Sequence, residues 1–251
     1  MTENPYTPPE AALYGGGAPA AKPKGPGLME QIEGLFTSPR ALFEKLHDAP
    51  SWVPALVVTL VLVLIVTTVW VAKVDADAFF RPILERNPKV SADQVDSIIE
   101  IQKKFLPLGA IFAPIVAAAG IFFFALIYWG LGAAFSQEPV KPTYTQGLVA
   151  ATVPGLVLIP HGLLMIVMAL AKGVGGLSPE KLPPTSLGFF LQPEGPRVAA
   201  LLYQLDAFMI ASWVMLYFAF RHTLRLLPAR AGLATGLVVL LTLGLKVLFA
   251  K

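Results

Sequence analysis

The sequence predicts an all-α integral membrane protein, a bundle of five transmembrane helices with amphipathic helices at the interface. Three observations predict it. Residues 52–72 (WVPALVVTLVLVLIVTTVWVA) carry no charge, and about 21 residues of helix span roughly 30 Å, the hydrocarbon thickness of a bilayer. The composition is 55% hydrophobic and 14% charged, against about 45–50% apolar and 25% charged in soluble domains. Four further apolar stretches follow, at 106–135, 143–172, 198–220 and 231–250.

Taken in order, residues 1–27 are rich in Pro, Gly and Ala and bury too little apolar surface to order themselves, which reads as a solvated tail. Residues 28–50 form an amphipathic juxtamembrane segment. Leu28, Ile32, Leu35 and Phe36 recur at helical spacing, Ser38-Pro39 restarts a helix, and Leu42, Phe43 and Leu46 share its apolar face. Lying in the headgroup region and packing on the rim of the bundle are the two readings of this piece. Residues 51–251 form the membrane domain, and the first span serves as an uncleaved anchor, since no apolar segment precedes it.

Between the first two spans, Ser91-Ala92-Asp93-Gln94 is a capping box, and Val95, Ile98, Ile99 and Phe105 give the helix behind it an apolar stripe. The third span is interrupted by Pro154 and Pro160, each of which removes an amide and frees a carbonyl one turn back. That predicts a kinked helix facing the bundle interior. Gly232, Gly236 and Gly244 line one ribbon of the last span and read as a helix-packing surface.

An odd number of spans puts the termini on opposite sides. Arg40, Lys45, Arg221, Arg225 and Arg230 fall on one side, which the positive-inside rule makes cytoplasmic. The loop after the first span also holds six bases, beside six acids. The expected location is the bacterial cytoplasmic (inner) membrane, amino terminus inside.

The chain has no Cys, which removes disulfides, thiol catalysis and cysteine-based metal centres. A net charge of +3 gives no reason to expect nucleic acid. No H-E-x-x-H, G-x-S-x-G or phosphate-loop pattern occurs, and the three histidines sit in separate elements. No enzyme, metal or cofactor is expected. Ionisable residues inside spans remain, because each costs at least about 2.5–3.5 kcal/mol. Asp206 and Lys246 lie at depths of about 12 and 7 Å by helical rise, compatible with an intramembrane ion pair. His161, with Tyr203 and Gln204, would make a polar interior, His161 capping a carbonyl freed by Pro160.

Several short patterns occur in a telling order. Phe36-x-x-Pro39-x-x-x-Phe43 precedes the first span and Trp52-x-Pro54 opens it. Gln102-Lys103-Lys104 ends the amphipathic helix, and Leu182-Pro183-Pro184-Thr185-Ser186-Leu187 stands before the fourth span. Leu205-Asp206-x-Phe208 with Trp213 lies within that span, and Lys246 in the last. In this order they resemble the Yip1-domain family of five-span membrane proteins, in its bacterial branch, over about residues 34–250. The resemblance implies a trafficking-type or membrane-organising role; eukaryotic members bind small GTPases and other membrane proteins. The expected function is therefore a non-enzymatic scaffold whose partners are the lipid bilayer and other membrane proteins, or a second copy of itself. A transporter or permease-like subunit using an intramembrane Asp/Lys/His site is the alternative.

Overall fold

The computed structural model describes residues 24–250, apart from the side chain of Glu180. Positions 1–23 of the expected tail lie outside the described residues, and positions 24–27 lead into the first helix without secondary structure of their own. Pro26 is buried and its carbonyl accepts a hydrogen bond from Gln31 Nε2 (3.0 Å). The same amide also donates to the Ser51 carbonyl (2.7 Å), so residue 31 ties the incoming chain to the start of the first membrane helix.

Helices α1 (Leu28–Thr37) and α2 (Pro39–Asp48) form a hairpin. Of the two readings open for α2, the structure selects packing on protein. Phe43 and Leu46 are fully buried, in one core cluster with Val149, Val153, Phe220 and Leu224. The long α3 (Val53–Lys73) follows the predicted first span within one residue at each end. It is apolar on all faces and buries little, as a helix surrounded by lipid must.

Beyond α3, Asp75 caps α4 (Ala76–Glu85) by accepting from the Ala78 amide (3.1 Å). The Ser91–Gln94 capping box is present and starts α5 (Ala92–Phe135). The amphipathic segment and second span expected as separate pieces are one helix of 44 residues, about 66 Å long and twice the roughly 30 Å a bilayer core needs. Its first third stands outside any such core and is clamped to α4 by Arg81–Asp96 and Lys103–Asp77 pairs (both 2.8 Å). The Lys103 ammonium holds the Asp77 carboxyl below the usual carboxylate range.

The third pass is the kinked one. Helix α6 (Tyr144–Thr152) opens with a capping box, Thr143 with Gln146. It gives way to a tighter 3₁₀ stretch, Val153–Leu158, before α7 (Ile159–Lys172) resumes. Pro154 and Pro160 each stand at the start of the new helical piece, where a missing amide does least harm. Val153, Leu156 and Val157 of this stretch are buried, so the kink sits in the core.

The remainder is α8 (Leu187–Leu191), α9 (Pro196–Gln204), α10 (Ala207–Phe218), a π-helical turn at Ala219–Thr223, and α11 (Pro228–Phe249). The fourth span was expected as one continuous helix over 198–220. It is broken between α9 and α10, at Leu205-Asp206. Four helical stretches, at 53–73, 92–135, 144–172 and 228–249, are long and apolar enough to cross a membrane. The fourth pass holds no single helix of that length: α10 and the π turn together measure roughly 25 Å.

The ends of the bundle are held differently. At the amino-terminal end, His47 Nδ1 donates to the Thr223 carbonyl (2.7 Å) and Gln146 Nε2 to the His47 carbonyl (3.0 Å). Thr223 Oγ1 donates to the Phe43 carbonyl (2.9 Å). At the opposite end, Asp75 N donates to the Gly175 carbonyl (2.9 Å) and Trp70 Nε1 to that of Leu177 (2.9 Å). A Cβ on Gly176 would lie 2.6 Å from the Ala78 carbonyl oxygen, so the 173–178 loop can lie against α4 only with glycine there.

Candidate functional site

The helix break is built around Asp206. Leu205 and Asp206 are both non-helical, Asp206 in extended geometry. Breaking a helix inside an apolar bundle strands backbone groups, and here a neighbouring strand-like segment satisfies them. Leu187 N donates to the Leu205 carbonyl (3.0 Å) and Ala207 N to that of Thr185 (3.3 Å), a short antiparallel bridge. The Asp206 side chain then caps α10. Its Oδ1 accepts from the amides of Phe208 (2.8 Å) and Met209 (3.3 Å), and its Oδ2 from the Thr185 hydroxyl. His161 Nδ1 stands 3.5 Å from Oδ1, with its ring edge-on to Phe208. Asp206 as a whole is 1% exposed.

That arrangement corrects the expected ion pair. Asp206 and Lys246 do not pair, because the break turns the carboxylate back onto the start of its own helix and toward α7 and the 182–187 loop. Matching depths bring the two side chains together only on an unbroken fourth helix, and this helix breaks at Leu205-Asp206. Lys246 instead lines a cavity of about 930 Å³ with Tyr203, Gln204 and Thr242. The residues expected to form one polar interior therefore fall into two sets, His161 with Asp206 and Tyr203 and Gln204 with Lys246. Pro154 and Pro160 shape the kink, which brings His161 of α7 beside α10.

The expected packing ribbon of α11 is left uncovered by the chain's own helices. A Cβ on Gly232, Gly236 or Gly244 would meet nothing within 4 Å, so the ribbon faces away from the bundle. Close packing occurs instead between α5 and α6. There a Cβ on Gly147 would lie 2.8 Å from both the Ala125 carbonyl oxygen and Trp129 Cβ, and Ala125 is fully buried.

Sequence reasoning missed Thr185 and Lys181. Thr185 follows a Pro-Pro pair and had no helical signal; the cue was Asp206 itself, since Asp favours an N-cap over a helix interior. Lys181 Nζ sits 5.7 Å from the centroid of the Tyr203 ring, a pairing that no spacing in the chain encodes. Among the described residues, no three His, Asp or Glu side chains are gathered to hold a metal ion.

Long apolar helices with lipid-accessible faces, joined by amphipathic pieces and a capped break, define an integral multi-pass α-helical membrane protein. The Yip1 domain model matches residues 34–250, and the chain belongs to the Yip1 domain family. No curated protein and no solved structure matches it significantly.

Proposed function

We propose that this chain is a non-enzymatic membrane scaffold or trafficking-type, membrane-organising factor that binds other membrane proteins, lipids or a second copy of itself. It works in the bacterial cytoplasmic membrane with its amino terminus inside. One observation carries the reading. The Gly232/Gly236/Gly244 ribbon of α11 is left uncovered by the bundle, and small residues are what allow another helix backbone to approach in lipid. The internal polar groups support the same view, since Asp206 is spent on capping a helix and does not line the cavity. Co-purification in mild detergent tests it. Gly236→Leu should leave folding unchanged and strip associated membrane proteins or the chain's self-association. An unaltered set of associated proteins and unaltered oligomeric state would refute the ribbon as the binding face.

A second reading, a transporter or permease-like subunit, is favoured by the helix break at Asp206, because discontinuous helices form ion and substrate sites in transporters. Proton or cation flux into proteoliposomes that Asp206→Asn abolishes would decide for it.

A further inference from the structure

The cavity holding Lys246 has a composition that changes along its length. Phe124 of α5 and Thr242, Leu245 and Phe249 of α11 belong to helices apolar enough to cross a membrane. Ile83 and Arg86, at the end of α4, and Lys181 and Glu194, in the loops flanking α8, belong to segments that are not. The cavity thus runs from the membrane-embedded part of the bundle out to its polar end. Among the described lining residues three are cationic, Arg86, Lys181 and Lys246, against the single acid Glu194. Its volume, about 930 Å³, is at the upper end of ligand sites, about 300–1,000 Å³.

One wall is preorganised. A Cβ on Gly188 would lie 2.6 Å from the Tyr203 ring, so α8 presses its backbone against that ring, and Lys181 stands over it at 5.7 Å. A cation held over an aromatic face keeps its remaining hydrogen-bond donors for a ligand. Lys246 enters from α11, three residues before the helix ends, where a lysine stem follows apolar surface and its ammonium reaches the polar zone.

We infer that this cavity binds an anionic phospholipid, with the headgroup phosphate among Arg86, Lys181 and Lys246 and an acyl chain running inward past Leu245 and Phe124. Neither half of the lining suits other occupants. A free inorganic anion would leave the apolar half uncovered, and a neutral lipid would leave the cations without a counter-charge in a partly desolvated site. Basic pockets between membrane helices recognise anionic headgroups by this chemistry. The assignment does not depend on the scaffold reading.

The test uses the full-length chain in a neutral detergent, titrated with dioleoyl-phosphatidylglycerol or dioleoyl-phosphatidylcholine, with bound lipid counted by native mass spectrometry. Phosphatidylglycerol should bind about tenfold more tightly than phosphatidylcholine, because both carry the phosphate but the choline ammonium of the second opposes the three bases. The combined Arg86→Gln, Lys181→Gln and Lys246→Gln variant should bring the two lipids within about twofold. Removing three bases elsewhere, by Lys89→Gln, Lys104→Gln and Lys172→Gln, should leave the preference in place. Ala200→Trp fills the cavity without touching a charge and should weaken phosphatidylglycerol binding as well. A preference that survives both the triple cavity variant and Ala200→Trp overturns the assignment. So does an equal loss in the control variant, which would mean general surface charge. Displacement of the lipid by millimolar inorganic phosphate would assign the site to a free anion instead.

Discussion

Asp206 is the residue at which a local rule outweighed a regional one. An apolar surround argues for a continuous helix, yet an aspartate inside it costs several kcal/mol unless its charge is satisfied. Ending one helix and starting another supplies two amides, a hydroxyl and a favourable dipole at once. Asp206→Ala should therefore destabilise the protein by about 1–3 kcal/mol, the loss expected when buried donors are left unsatisfied. Because Lys246 is not its partner, adding Lys246→Met should change stability independently, the two effects summing within about 0.5 kcal/mol in denaturant titrations. A recovery of most of the loss in the double variant would restore the ion pair. The glycines make a matching contrast. Gly147→Ala drives a methyl into the α5 backbone and should cost about 1–3 kcal/mol, whereas Gly236→Ala, with nothing in reach, should be neutral in the same unfolding assay.

At the scale of elements, the α1–α2 hairpin is part of the core. Phe43 has no exposed surface, so Phe43→Ala should cost about 3–5 kcal/mol, read as a lowered midpoint in thermal unfolding. The π turn that receives α2 carries a pH response. His222 Nδ1 lies 3.3 Å from a Glu44 carboxylate oxygen. Burial nevertheless dominates and pushes the imidazole below its ordinary value of 6.5, with Glu44 pulling the other way and Arg221 and Arg40 adding to the depression. The unfolded chain then takes up its proton first as pH falls. Stability should be at its full value above 6.5, decline as pH drops through that point, and level off once the folded state is protonated too. His222→Asn should flatten the melting temperature between about pH 7 and pH 5. Glu44, held low mainly by its hydrogen bond to Arg40, titrates well below that window.

At the scale of the whole molecule, hydrogen bonds tie the hairpin, the 136–143 turn and the π turn to one end of the bundle, and the 173–178 loop and α4 to the other. Helix α11 ends beside α4 and the 173–178 loop, Phe249 and Ala250 sharing a cavity with Ala78 and Gly176, at the end opposite the hairpin. Reporter fusions in the 136–142 turn and after Lys251 should report from opposite sides of the membrane, the first of them cytoplasmic. A shared side would mean that the broken fourth pass does not cross.

Several features were legible in the sequence alone because they depend on neighbours along the chain. Apolar runs of membrane length placed the ends of α3, of the third pass from α6 to α7, and of α11 within about three residues, and Pro154 and Pro160 located the kink from missing amides. The Ser91 capping box marked a helix start in full. These are consequences of local bonding and of transfer into lipid, which need no knowledge of what packs where. Which face each element turns inward was decided only by the tertiary structure. The apolar stripe of α2 suits lipid and protein alike, and the glycines of α11 and Gly147 look equivalent in sequence. Asp206 is satisfied equally by a lysine one helix away or by the amides two and three residues on. Choosing among such partners requires the three-dimensional arrangement, because backbone groups in an apolar interior must all find partners together and one break in a helix reassigns several at once.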